Sequence, residues 1–242
     1  MLDHVTIRVA DADASARFYE TVLATLGVRR GPADGDAVRW EEFAVVPAGD
    51  AAGAVTRRLH VGFVARSRAQ VDAFWRAGVD AGHPDDGAPG PRPQYRPDYY
   101  GAFLLDPDGN SAEAVHHGAL PTGRAIDHLW LRVADVAAAS HFYETIAPHA
   151  GLDLRRPQPD HTWIKGARGS FSLVAGEPTR HVHMAFAAAD RAAVDAFHRV
   201  ATVAGYAEDR PPGARPVHGR DGYAASVRDA DANTIEIVSR DA

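Results

Sequence analysis

The sequence contains no cysteine in 242 residues. This excludes disulfides, thiolate metal ligands and cysteine nucleophiles, so any bound metal must be held by nitrogen and oxygen atoms. No apolar run approaches the roughly 20 residues of a membrane-spanning helix, and the N-terminus lacks the basic-then-apolar pattern of a secretory signal. These absences predict a cytoplasmic protein without a membrane partner.

Dense basic stripes are also missing. The formal net charge is −6, and no basic patch is interleaved with aromatic residues, so we expect no nucleic-acid partner. With 45% hydrophobic and 24% charged residues, the composition is typical of a folded globular protein. The length allows two units of about 120 residues, each able to bury a core.

The chain repeats itself. DHVTIRVADADASARFYETVL begins at Asp3 and DHLWLRVADVAAASHFYETIA at Asp127, while Leu59–His117 aligns with Val182–Arg240 without a gap. Residues matched in this way are called corresponding residues below. Such similarity indicates a duplicated unit. HVTIRV alternates polar and apolar residues as a strand does, and the following segment has helical spacing with an aspartate cap and a terminal Gly27.

Each repeat holds two histidines and one glutamate in corresponding places. His4, His60 and Glu113 recur as His128, His183 and Glu236. Two imidazoles and one carboxylate can bind Fe²⁺, Mn²⁺, Zn²⁺ or Ni²⁺ and leave coordination positions open. A single strand histidine is more often a structural residue than a ligand. His181 is a rival for the role of His183, but its corresponding residue is Arg58.

Other candidates stand beside these ligands. They are Arg92 and Arg215 for a substrate carboxylate or phosphate, Tyr100 and Tyr223 for a phenol hydrogen bond near the metal, Trp40 and Trp163 for a cavity wall, and His218 as an acid or base. The alternative interpretations are exposed arginines, packed tyrosines, core tryptophans and a loop histidine. Two Pro/Gly-rich segments, GAPGPRPQYRPDYY and RPPGARPVHGRDGY, are predicted to be long loops that line a binding site.

The motifs DHVTIRVAD, LHVGF and YYGAFLLDPDGNSAE, with DHLWLRVAD, VHMAF and DADANTIE in the second repeat, resemble the vicinal oxygen chelate superfamily. This superfamily includes glyoxalase I, bleomycin-resistance proteins and extradiol dioxygenases. The resemblance implies an α+β fold of four βαβββ modules, forming two domains that are half-open barrels of mostly antiparallel strands with flanking helices. The expected bounds are 1–117 (modules 1–57 and 58–117), a linker at 118–124, and 125–242 (modules 125–180 and 181–242).

The resemblance also implies one divalent ion per domain. The expected ligand sets are His4, His60 and Glu113 in the first domain, and His128, His183 and Glu236 in the second. Single-domain relatives commonly pair, so we expect either a monomer that imitates such a pair internally or a homodimer.

The implied function is a metal-dependent lyase, isomerase or dioxygenase whose small substrate chelates the ion through adjacent oxygens. Extradiol dioxygenases usually carry a tyrosine where Phe103 and Ser226 stand, and a histidine where Tyr95 stands in the first repeat and His218 in the second. These departures argue against ring cleavage, most strongly in the first domain. The alternative is a protein that binds an antibiotic or aromatic metabolite without turnover.

Overall fold

The computed structural model describes residues 2–32, 35–49, 54–166, 169–217 and 220–240, which form four helices and fifteen strands. The elements of the first repeat are β1 (Leu2–Val9), α1 (Ala12–Ala24), β2 (Val38–Trp40), β3 (Phe43–Pro47), β4 (His60–Val64), α2 (Arg68–Asp80), β5 (Asp85–Pro91), β6 (Tyr100–Leu105) and β7 (Ser111–His116). Those of the second repeat are β8 (Ile126–Val133), α3 (Val136–Ala150), β9 (Asp153–Gln158), β10 (His161–Lys165), β11 (Ser170–Ala175), β12 (His183–Ala187), α4 (Arg191–Val203), β13 (Glu208–Val217), β14 (Arg220–Arg228) and β15 (Thr234–Ser239).

The predicted strand-then-helix start is confirmed in both repeats. Asp11 caps α1 by accepting a hydrogen bond from the Ala14 amide, and Asp135 caps α3 in the same manner. The predicted apolar stripe of the first helix includes Phe18 and Leu23, and both side chains are fully buried. Because a one-sided helix must cover a sheet or another helix to hide this stripe, the pattern specifies the layered α+β architecture.

The strands form two mixed sheets. One has the order β13-β14-β15-β12-β1-β3-β2, and the other β5-β6-β7-β4-β8-β11-β10-β9. The pairs β4/β7 and β12/β15 are parallel, whereas β1 pairs with β12 in antiparallel fashion. The predicted fold of βαβββ modules with mostly antiparallel strands is therefore confirmed, although the structure describes only two strands after the helix of the first module, β2 and β3.

The prediction that both Pro/Gly-rich segments are entirely loops was wrong. DDGAPGP forms β5, and EDRPPGARPV forms β13. Each is the outermost strand of its sheet, where a proline without an amide hydrogen leaves no neighbouring acceptor unpaired. Register shifts along both strands absorb the remaining irregularity.

The segment DPDGN and its DADAN counterpart form turns with the same side-chain hydrogen bonds. Oδ1 of Asp106 accepts from the amides of Asp108 and Asn110, and Oδ1 of Asp229 accepts from the two corresponding amides. The difference lies in the backbone, because Ala232 has a φ of +66° where the first repeat has a glycine.

The described chain divides into two compact units, one formed by Met1–Ile7 with Trp130–Ala242 and the other by Arg8–Leu129. Both division points lie inside strands, β1 and β8. The segment between β7 and β8 contains neither helix nor strand. The predicted domain bounds, 1–117 and 125–242, follow the sequence repeats and remain a prediction. Among the described residues, no helix combines the length and apolar character needed to cross a membrane.

Candidate metal centres

The first candidate centre, called the Glu113 centre, consists of His60, Glu113 and His128. His60 begins β4, Glu113 lies on the neighbouring parallel strand β7, and His128 lies on β8, the next strand on the other side of β4. Oε2 of Glu113 is 3.0 Å from Nε2 of His60 and 3.4 Å from Nε2 of His128. One ligand atom from each residue lies within 4.8 Å of the other two.

The second candidate centre, called the Glu236 centre, consists of His4, His183 and Glu236, whose ligand atoms also lie within 4.8 Å of one another. Nε2 of His183 is 2.9 Å from Oε2 of Glu236. The rings of His4 and His183 have centroids 5.1 Å apart. Every member of this centre lies in the unit formed by Met1–Ile7 and Trp130–Ala242, whereas the Glu113 centre lies in the unit Arg8–Leu129.

The six predicted ligands therefore come together, but in a different grouping from the predicted one. The prediction joined the histidine of the first strand to the His and Glu of the same repeat. In the structure it joins the pair of the other repeat, because β1 adds to β12 through Thr6 opposite His183, and β8 adds to β4. Main-chain pairing fixes the grouping, and distance along the chain does not reveal which strands pair.

Hydrogen bonds orient three of the four imidazoles. Nδ1 of His128 donates to Asp127 at 2.8 Å, and Nδ1 of His4 donates to Asp3 at 2.9 Å, because an ionised carboxylate only accepts. Nδ1 of His60 lies 3.2 Å from Oγ of Ser111, a hydroxyl whose own hydrogen goes to Asp86. Each ring thus presents Nε2 to its centre, as carboxylate-backed metal histidines do.

Sequence reasoning missed Asp3 and Asp127, although both repeats begin with the dipeptide Asp-His. The two aspartates are themselves held differently. Arg240 forms an ion pair with Asp3 at 2.6 Å, whereas Asp127 has the corresponding residue His117 at 3.4 Å. Both aspartates have pKa values well below the usual range, since hydrogen bonds to histidine and, for Asp3, to Arg240 outweigh the effect of burial.

In the Glu113 centre, the carboxylates and imidazoles stabilise one another's charged forms. Burial by itself would raise the pKa of Glu113, but hydrogen bonds and charge from His128 and His60 lower it to about 2. Burial opposes the charged form of His128, yet Asp127 and Glu113 raise its pKa to about 9. At neutral pH the metal-free centre therefore contains an imidazolium between two carboxylates, which is the arrangement that a divalent cation would replace.

The Glu236 centre differs in its electrostatics. The pKa of His4 is lowered, chiefly by burial and further by the nearby His183. The pKa of Glu236 is also lowered, because His183, His4 and Arg215 together outweigh its burial. A neutral His4 already has the protonation state that metal binding requires.

The prediction that Tyr100 and Tyr223 act near the metal was wrong. Their hydroxyls donate to helix residues, Asp72 at 2.8 Å and Asp195 at 2.9 Å. Side chains alternate along β6, so Tyr100 faces α2, whereas the preceding Tyr99 faces the centre and donates to Oε1 of Glu113 at 2.7 Å. Strand alternation relative to Glu113 was the signal that could have selected Tyr99.

The remaining candidates are distributed as follows. Trp40 is fully buried against Tyr19 and Phe43, so its predicted place in a cavity wall is corrected to a place in the core. Trp163 is partly exposed on β10. His218 lies outside the described residues.

The guanidinium groups of the two predicted arginines donate to main-chain carbonyls of nearby residues in their own segments. Arg92 donates to the carbonyls of Ala88 and Pro91 and lies over the ring of Phe103, 5.5 Å from its centroid. Arg215 donates to the carbonyl of Pro211. Of the two, Arg215 is the one whose charge helps to lower the pKa of a candidate ligand, Glu236.

The family model of the Glyoxalase/Bleomycin resistance protein/Dioxygenase superfamily matches residues 1–114 and again 125–237. The chain belongs to this superfamily. The two matches contain all six candidate ligands and cover both repeats, so the resemblance inferred from the motifs is confirmed.

Two individual proteins are similar to this chain. An uncharacterized protein of Pseudomonas aeruginosa is 31% identical over 132 residues, which cover 50% of this chain and 92% of that protein. The crystal structure of glyoxalase I from Zea mays is 21% identical with a TM-score of 0.67, over 99% of this chain and 92% of that chain. At this identity the second similarity establishes the fold alone.

The superfamily uses divalent metal ions, and the residues of both centres fit such an ion. Nε2 of His183 is buried and has no hydrogen-bond partner among the described residues, although Oε2 of Glu236 lies 2.9 Å away. A bound ion is one way in which such a buried polar atom is satisfied. The donor set of two imidazoles and one carboxylate suits Fe²⁺, Mn²⁺, Zn²⁺ or Ni²⁺.

Proposed function

We propose that this protein is a divalent-metal-dependent enzyme with one ion in each centre, acting on a small substrate that chelates the ion through adjacent oxygens. The observation that carries the proposal is the convergence of two imidazoles and a glutamate in each unit, with ligand atoms within 4.8 Å of one another. Superfamily membership supports an enzyme of the lyase, isomerase or dioxygenase type.

A bound divalent ion would supply Lewis acidity, lowering the cost of negative charge on the substrate oxygens. The chain's own groups prepare for it. Asp127 and Asp3 hold the Nδ1 hydrogens of His128 and His4, and this directs the Nε2 lone pairs into the centres. Three protein ligands leave coordination positions at which two adjacent substrate oxygens can bind.

The Glu113 carboxylate has a defined orientation within this arrangement. Tyr99 donates to Oε1, while Oε2 faces His60 and His128. The ligand oxygen is therefore fixed before an ion arrives. Such preorganisation reduces the rearrangement that binding and catalysis would otherwise require.

The grouping of the ligands provides the sharpest test. In the proposed grouping, the double variant His4→Ala/His60→Ala loses one ligand from each centre, whereas His60→Ala/His128→Ala damages only the Glu113 centre. After dialysis against the metal and then against buffer, elemental analysis should find about no ion in the first variant and one in the second. Ligand sets confined to single repeats would give the reverse result.

Turnover is tested separately. Metal-loaded protein should be assayed aerobically with catechols and anaerobically with thiol adducts of α-keto aldehydes. Product formation that is lost in His60→Ala/His128→Ala or in His4→Ala would support the enzyme. Saturable binding without product, in protein with both ions present, would favour the alternative of a binder for an antibiotic or aromatic metabolite.

A further inference from the structure

The two centres share their ligands but not their surroundings. Four residues at the Glu113 centre are replaced at the corresponding positions around the Glu236 centre: Gly62 by Ala185, Tyr99 by Gly222, Gly101 by Ala224, and Phe103 by Ser226. Duplicated sites that performed the same task would need the same space around their ligands. Two of these replacements add a methyl group beside the ligands, and two remove an aromatic side chain.

Two glycines allow the Glu113 centre to close tightly. A Cβ atom at Gly62 would lie 2.4 Å from Cε1 of His128, and one at Gly101 would lie 2.4 Å from Oε1 of Glu113. Both distances are far below van der Waals contact, so the ligands rest against bare backbone. Tyr99 then fixes the carboxylate by its 2.7 Å hydrogen bond to Oε1. The alanines of the other centre exclude this packing.

Phe103 covers the Glu113 centre. It is the cross-strand partner of Glu113, and its ring centroid lies 5.8 Å from that of His60. The guanidinium of Arg92 lies over the same ring, so the positive charge is separated from the ligands by an aromatic side chain. The side chain of Glu113 is 1% exposed and that of His60 is 17% exposed.

The Glu236 centre is more open. Ser226 is the cross-strand partner of Glu236, and its hydroxyl donates to Asp209 at 2.7 Å. The side chains of Glu236 and His183 are 12% and 33% exposed. Arg215, which corresponds to Arg92, has no aromatic residue at position 226 to cover. It is the cross-strand partner of Gly222, the residue that replaces Tyr99 of the closed centre.

On the basis of the proposed function, we propose that the two centres have divided roles. The Glu236 centre binds an anionic, oxygen-chelating substrate with Arg215 as its counter-charge, whereas the Glu113 centre retains its ion behind Tyr99 and Phe103 without admitting that substrate. Arg215 is therefore the specificity-determining residue of the pair, and Arg92 is its matched control.

Cobalt(II) absorption and the dianion oxalate test this division without an activity assay. His60→Ala leaves the Glu236 centre intact, and His183→Ala leaves the Glu113 centre intact. Oxalate should change the visible spectrum of the Co²⁺-loaded His60→Ala protein and leave that of His183→Ala unchanged. Adding Arg215→Gln to His60→Ala should weaken oxalate binding about tenfold or more, because a charge-assisted hydrogen bond to the anion is lost. Adding Arg92→Gln should have no such effect.

Opening the closed centre gives the complementary measurement. Phe103→Ser, which introduces the side chain found at position 226, should allow oxalate to change the Co²⁺ spectrum in the His183→Ala background. Circular dichroism confirms that each variant is folded. Equal responses of the two centres to oxalate, or no effect of Arg215→Gln, would overturn the division of roles. Failure of both single-centre proteins to bind Co²⁺ would instead overturn the proposed function.

Discussion

Removing metal should make the stability of this protein depend on pH in a way that identifies His128. Its pKa is about 9 in the folded protein, against an ordinary value of 6.5. A histidine whose folded pKa is raised contributes stability that is complete below pH 6.5 and is lost as the pH rises through 9. Two and a half pKa units correspond to a loss on the order of 3 kcal/mol in the free energy of unfolding.

His4 provides the matched control, because burial moves its pKa in the opposite direction. Its contribution is present above pH 6.5 and is lost as the pH falls, so it cannot produce the alkaline loss. Urea unfolding in the presence of a chelator, measured from pH 6 to 9.5, should give a falling free energy in the wild type and in His4→Asn. The slope should be much reduced in His128→Asn.

Excess Zn²⁺ or Mn²⁺ should reverse the slope over this range. The ion competes with the proton for Nε2 of His128, so its binding strengthens as the pH rises. Metal-free stability that stays level or increases between pH 6.5 and 9 would refute the assignment of a charged His128 between Asp127 and Glu113. A slope that disappears in His4→Asn but not in His128→Asn would refute it equally.

Three further outcomes concern single residues and can be measured without substrate. Ala232→Gly should stabilise the protein by about 1 kcal/mol in urea unfolding and Gly109→Ala should destabilise it by a similar amount, since both positions have positive φ; equal effects of the same sign would contradict this. Tyr19→Phe should lower the free energy of unfolding by about 1–2 kcal/mol, because the Tyr19 hydroxyl donates to a buried carboxylate. Tyr143→Phe should be neutral or stabilising, because the buried hydroxyl of Tyr143 has no hydrogen-bond partner among the described residues. A larger loss of stability in Tyr143→Phe than in Tyr19→Phe would contradict this. Gly62→Ala should reduce the bound metal from two ions to one per chain in elemental analysis, because its Cβ would meet the imidazole of β8; retention of two ions would show that the ring can move aside.

Much of the fold follows from local patterns. The alternation in HVTIRV and the aspartate cap of the first helix each depend on residues close in sequence, so the sequence predicted them correctly. The prolines of β5 and β13 misled the prediction because a loop and an edge strand tolerate proline equally well. Only the position of a strand within its sheet distinguishes these cases.

The choice between Tyr99 and Tyr100 had a similar cause. Both residues are close to the glutamate in sequence, but neighbouring residues on a strand face opposite sides. The register of β6 against β7 sets Phe103 opposite Glu113, and this puts Tyr99 on the ligand side and Tyr100 on the helix side. Likewise, Trp40 became a core residue because α1 packs Tyr19 over it, a contact between separate elements.

The sequence by itself determined the duplication, the superfamily and the six candidate metal ligands, because these depend only on which residues are present and where they recur. Tertiary structure decided which histidine joins which glutamate. The hydrogen bonds that add β1 to β12 and β8 to β4 connect main-chain atoms, which every residue except proline offers alike. Pairing between distant strands is therefore decided by the packing of the whole sheet, and each candidate metal centre combines histidines from both repeats.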